Sequence, residues 1–417
     1  MKSRFFFCCL AILTLFLLLS CGGSSQPPRP SGLANRVIAS TPLVNGGQIY
    51  VIDATQDTVS FNNPAILSVT GASNMALTPD KTKTAVFGST TNSIFVIDSQ
   101  TEATSGTVGL SSAIGGGPQS MVAMPIPCVP GTNGCSSDEL LIVAEPGASV
   151  AGTSLLGAVQ FIDITSGTLV TTVAISQARR LVLSHDGTKL LVFGDDYGVN
   201  LVDTSARTAT PITSPSFDHP VNAVFSSDDK TAYILSCGPE CGGTTANVAA
   251  LTISSGVVGT PTPVSAATVG IIDGANNLYV AGTGASGGLL DILNASSLTV
   301  SKSAIPIGDG YHNNMVLTTK GQLFIGARNC PDGKCMSILN TTSQTAYINP
   351  CVAGTATCPS GDVTGMLPLD NRALIYVAQG GILHIYDLTH DPPSENLTLG
   401  VPFLVLQGNI IDVKQID

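Results

Sequence analysis

The sequence predicts an all-β protein closed into a single β-propeller, and three observations carry that expectation. Eight short apolar strands end in a polar residue and pass into a small polar turn. They are Tyr50–Asp53, Phe95–Asp98, Phe161–Asp163, Leu201–Asp203, Ala250–Thr252, Ile292–Asn294, Ile338–Asn340 and Ile385–Asp387. These copies recur every 40–50 residues or so, about the length of one four-stranded blade. Between them, alternating apolar runs of strand length are separated by turns that draw on 44 glycines, and no helical period appears after the first 20 residues.

The chain opens with Lys2 and Arg4, an apolar run from Phe5 to Leu19, and then Ser20-Cys21-Gly22. A basic start, an apolar stretch of about 15 residues and a small residue before the cut describe a secretory signal. The run is short for a membrane span, which needs about 20 residues. Leu18-Leu19-Ser20-Cys21 resembles the lipobox of bacterial lipoproteins. That resemblance implies cleavage after residue 20 and a lipid on Cys21, and Gly22 in place of Asp favours the outer membrane. Residues 21–35, rich in Gly, Ser and Pro, read as a tether, and residues 36–417 as the propeller domain.

Each repeat also carries an upstream part. Met75-Ala76-Leu77-Thr78-Pro79-Asp80 leads to Ala85–Gly88, and Leu181–Gly187 leads to Leu190–Gly194. Ala223–Asp228 precedes Ala232–Ile234, and Met315–Thr318 precedes Leu323–Ile325. Asp-Gly character in these turns meets the positive φ of a tight hairpin. With inner strand, Asp-Gly turn and Val-Ile-Asp strand in place, residues 36–417 resemble the YVTN-type propeller repeat. The first unit lacks an inner strand, and Pro402–Ile410 parallels Pro64–Gly71, so the C-terminus is expected to complete that blade and leave no open edge. The count is eight blades, or seven if the Ala249–Ser254 unit is not a blade of its own.

Cysteine usage speaks to the compartment. Of 11 cysteines, Cys8 and Cys9 leave with the signal and Cys21 carries lipid. The rest form four local pairs: Cys128 with Cys135, Cys237 with Cys241, Cys330 with Cys335, and Cys351 with Cys358. All four are expected as disulfides in an exported chain. Zinc would draw such pairs from one compact region, and these lie in at least three different repeats. A formal charge of −11, with 11% of residues charged, argues against nucleic acid as a partner. Partners are then the membrane, through lipid, and an envelope protein or peptide, with a monomer as the default state.

The turns entering the inner strands surround one mouth of a propeller's channel. Aligned repeats put Asn74, Ser120, Arg180, Asn222, Val269, Asn314, Thr364 and Asn409 there, with Gln119, Arg179, His219, His312 and Asp362 beside them. One reading is a polar rim that binds a ligand, the two arginines suiting a carboxylate or phosphate. The other is that the asparagines satisfy crowded backbone. No metal site is expected, because calcium takes several carboxylates and this rim offers Asp362. No cofactor is expected either. Cys-x-x-Cys-His and the phosphate-cradling Gly-x-x-x-x-Gly-Lys are missing, and Gly-x-Ser-x-Gly, the elbow of hydrolases, is missing from any strand-to-helix setting.

The sequence therefore points to a binding or scaffold module and away from catalysis. The alternative is a hydrolase of the lactonase kind, since propellers similar to this one include a 6-phosphogluconolactonase-like family. That reading requires His219, His312, Arg180 and Asp362 to converge at the mouth.

Overall fold

A computed structural model describes residues 29–42, 47–60, 66–110, 120–124, 140–350, 358–395 and 403–417. The expected signal over residues 1–20, Cys21 and Gln119 lie outside these residues. So do Cys128 and Cys135, whose expected disulfide falls wholly there, and Cys351, the expected partner of Cys358. The strands form eight antiparallel sheets, one per blade, and the eight-bladed count holds. The Ala249–Ser254 unit belongs to a full blade of its own, built on Pro220–Phe225, Thr231–Ser236 and Asn247–Thr252.

Strand alternation explains how flat sheets become a ring. Successive side chains of a strand point to opposite faces, so each blade feeds two cores. In the first blade, Val37 and Ala39 pack with Tyr376 and Leu383 of the eighth, while Ile38 packs with Met75 and Val86 of the second. Eight apolar clusters result, one at every blade-to-blade interface, and the one between the eighth and first blades closes the circle.

Closure is made by the chain ends. Asp412–Gln415 pairs with Arg36–Thr41 as the innermost strand of the first blade. The segment parallel also holds. Phe403–Leu404 lies against Leu383 and His384 of the eighth blade, as Ile66–Ser68 lies against Gln48–Tyr50 of the first.

The Asp or Asn that ends the third strand of every blade but the fifth, where Thr252 stands, has a structural task. Its Oδ1 accepts backbone N–H groups of the turn that follows: from Thr165 and Ser166 at Asp163, Ser205 and Ala206 at Asp203, and Thr342 and Ser343 at Asn340. The turn then needs one left-handed residue, supplied by Gly167 (φ 68°), Arg207 (φ 56°) and Gln344 (φ 52°). Asp163→Ala leaves two donors without this acceptor. It is expected to cost about 1 kcal/mol, read as a lower urea midpoint with unchanged slope.

Candidate functional site: an arginine-lined channel mouth

Six blades converge on one polar cavity of about 360 Å³ at the channel mouth. Asn74, Ser120, Arg179, Arg180, Val221, Thr268 and Asn313 reach it from the inner strands of the second to seventh blades. Tyr197, Asp195, Tyr311 and Arg328 complete the wall around Cys241. Inner strands begin at this face and second strands end there, which is why both contribute.

The aligned rim position proves to be a tie between neighbouring blades. Arg180 Nε donates to Asn222 Oδ1 at 3.0 Å. Asn222 Nδ2 donates to the Thr268 carbonyl at 3.1 Å, and Asn314 Nδ2 to the Thr364 carbonyl at 3.3 Å. Asp412 Oδ2 accepts the Met75 N–H at 2.9 Å. Each bond joins one inner strand to that of another blade at the point where they crowd. The backbone-satisfying reading of Asn222 and Asn314 therefore describes these contacts. The residue preceding the tie, such as Arg179, Val221 or Asn313, sits at a bulge and faces the cavity.

Two aligned positions differ from expectation. Asp412, not Asn409, lies opposite Ser40 at the tie, and Asn409 packs instead against Gly381 of the eighth blade. In that blade Gly365, not Thr364, takes the equivalent place, opposite Ala378.

The mouth is rich in positive charge. Arg179 Nε is bound to Asp195 Oδ1 at 2.5 Å. Arg180 is desolvated, which lowers its pKa, and Tyr311 acts in the opposite direction. Arg328 Nε is buried with no hydrogen-bond partner among the described residues. The sequence reading missed Arg328, Tyr311 and Tyr197.

The four side chains of the hydrolase alternative are engaged separately, and of these Arg180 alone lines the cavity among the described residues. His219 stacks edge-on against Tyr197, with ring centroids 4.3 Å apart, and holds Asp218 at 2.8 Å through Nδ1. It borders an adjacent groove with Phe217 and Pro220. Asp218 is further bound by Thr244 and Thr245, and its pKa falls well below the carboxylate range, chiefly through His219. His312 is 2% exposed, its Nε2 set against the Gly308 carbonyl at 2.9 Å, and burial pushes its pKa down to about 4. Asp362 Oδ1 accepts the Asn329 N–H at 2.7 Å.

Disulfides brace the same face. Cys237–Cys241 encloses a short 3-10 turn, Gly238–Cys241, directly after a second strand, and Cys330–Cys335 follows another. Cys358 is also disulfide-bonded. No group of three or more metal-ligating side chains occurs among the described residues.

No family model and no curated protein matches the chain. Solved structures do. A dihydro-heme d1 dehydrogenase, NirN, in complex with DHE aligns at a TM-score of 0.63 and 12% identity over 94% of this chain and 79% of its own. A Dos1 propeller aligns at 0.57 and 13%, over 77% of this chain and 82% of its own. BamB from Moraxella catarrhalis aligns at 0.50 and 15%, over 82% and 95%. At these identities the likeness is one of architecture, and the chain shares the β-propeller fold.

Proposed function

We propose that this chain is an exported bacterial lipoprotein whose YVTN-type propeller is a binding module, with the channel mouth as its contact surface. In this reading residues 1–20 are the signal, Cys21 carries the lipid, and residues 21–35 hold the 36–417 domain off the membrane, the outer membrane being favoured. The partner is an envelope protein, peptide or polymer that inserts part of itself into the mouth. The observation that carries the reading is the cavity itself: a preformed polar recess, walled by six blades and holding a buried arginine donor, Arg328 Nε, with no partner among the described residues. The disulfides agree with an oxidising compartment.

The test is one fractionation and capture experiment. The wild-type chain is expected in the membrane fraction, and the Cys21→Ser variant in the soluble fraction. Cross-linked envelope partners are expected to be lost when Arg180→Ala replaces the wild type. Unchanged capture by Arg180→Ala removes the mouth as the contact surface, and unchanged fractionation of Cys21→Ser removes the anchor.

A further inference from the structure

We propose, resting on the binding reading above, that the mouth takes a doubly charged anionic group, held between Arg180 and Arg328. Two neighbouring carboxylates or one phosphate have this chemistry. Charge is the first argument. The cavity wall holds three arginines against one carboxylate, Asp195, which is already paired to Arg179 at 2.5 Å. Arg180 and Arg328 have no carboxylate partner among the described residues. Two uncompensated cations thus face one recess in a chain of formal charge −11.

Donor geometry is the second argument. Arg180 uses Nε to bind Asn222, and no described residue takes its terminal nitrogens. Asn222 is itself fixed by the Thr268 carbonyl and the Ala223 N–H. The Arg180 guanidinium is thereby held before any ligand arrives, and such preorganisation reduces the entropy lost on binding. Arg328 reaches the recess from the seventh blade, three blades on from Arg180, where its residue pairs with Tyr311 across two strands. Its buried Nε is an unmade hydrogen bond, a costly state that an acceptor would relieve. Planar guanidinium forks match carboxylate and phosphate oxygens two at a time.

Nearby acids do not fill this role. Glu240 Oε2 accepts the Thr283 N–H at 2.8 Å and Asp309 Oδ1 the Gly310 N–H at 2.8 Å, and neither lines the cavity. Tyr311, 48% exposed, offers an aromatic edge to whatever carries the anion. At about 360 Å³ the recess suits a small acid or the end of a chain, not a folded domain.

Calorimetric titration of the mature chain tests this with inorganic phosphate, succinate, acetate, and a short peptide ending in Asp, whose side-chain and terminal carboxylates are neighbours. At least one dianionic probe is expected to bind with a Kd below about 1 mM, and acetate about tenfold more weakly. Arg180→Gln and Arg328→Gln are each expected to weaken the best probe by about tenfold or more, while Arg179→Gln, whose charge Asp195 already neutralises, has a smaller effect. A peptide that outbinds succinate identifies a chain end as the source, and a preference for phosphate identifies a phosphate ester. The proposal is overturned if no dianion binds better than acetate, or if binding survives both substitutions. Thermal shift of the wild type with each probe checks the same ranking without any variant. If the titrations fail while Arg180-dependent capture persists, this inference falls and the binding-module reading stands; loss of both removes both.

Discussion

Deleting Asp412–Asp417 is expected to abolish cooperative unfolding of the propeller, and Arg36→Ala to weaken it by about 3–5 kcal/mol. The strand Asp412–Gln415 covers one edge of Arg36–Thr41, and Ile411 and Ile416 extend that pairing through bonds to Ser40 and Arg36. Of the deleted residues, Val413 and Ile416 are buried in the two cores flanking the first blade. Removing them opens a sheet edge and both cores together, and an open edge recruits other chains. The Arg36 side chain is fully buried at the seam. Its Nε and Nη2 donate to the Asp417 carboxylate at 2.5 and 2.9 Å, and Nη1 donates to Glu102 Oε1 at 2.6 Å and to the Ser99 carbonyl at 2.6 Å. One cation therefore ties the final residue to the first and second blades. Removing it strands Glu102 and Asp417 as buried charges without their shared partner, which is the costly way to break such a group. Arg29 offsets part of this loss through its own 2.8 Å contact with Asp417. Circular dichroism melting and light scattering measure both variants. A truncated chain that melts within about 2 °C of wild type, a shift worth under about 2 kcal/mol, would show that the ring does not depend on its seam.

The fold was legible because two local rules repeat. Period-two alternation decides which side chains go to which interface, and each Asp or Asn at a strand end announces the turn that its carboxylate or amide organises, as at Asp163 and Asn340. The seam was visible for the same reason, since Phe403–Leu404 repeats what Ile66–Ser68 does. Its register was not. Matching Asn409 to Asn74 pairs side chains by type, whereas backbone pairing places Asp412 opposite Ser40, and no side chain announces that offset.

The site was legible in part, and the reason is geometric. Arg179 and Arg180 enter an inner strand, a position that the repeat itself locates. Arg328, Tyr197 and Asp195 lie at or just beyond second-strand ends, and which of those ends lean over the channel depends on blades far away in sequence. His312 was singled out by its chemistry, yet alternation buries it and turns its neighbours Tyr311 and Asn313 to the cavity. Residue type names what a side chain can do; the parity of its place in the strand decides whether it gets the chance.

Glu145→Gln is expected to stabilise the protein at pH 8 and leave it nearly unchanged at pH 4. Glu145 lies on the second strand of the third blade, fully buried. Gln160 Nε2 donates to its Oε2 at 3.0 Å, and Oε1 has no hydrogen-bond partner among the described residues. Burial raises its pKa from 4.5 to about 7, with the Gln160 bond opposing. Between these values the folded chain keeps a proton that the unfolded chain has released. The folded state thus binds more protons there, and stability falls as pH rises. The full contribution of this carboxyl is present below about pH 4.5 and is gone above about pH 7, a loss of up to about 3 kcal/mol. An amide stays neutral throughout and removes that slope, so the gain should be about 1–3 kcal/mol at pH 8. His312 acts in the opposite direction: its pKa, lowered from 6.5 to about 4, gives stability above 6.5 that is lost as pH falls through 4. That contribution is common to both proteins and cancels in their difference. Urea titrations of the pair across pH 4–8 isolate the one carboxyl. A stability difference that does not change with pH would mean that Glu145 titrates alike in the folded and unfolded chains, and that its buried carboxylate is compensated after all.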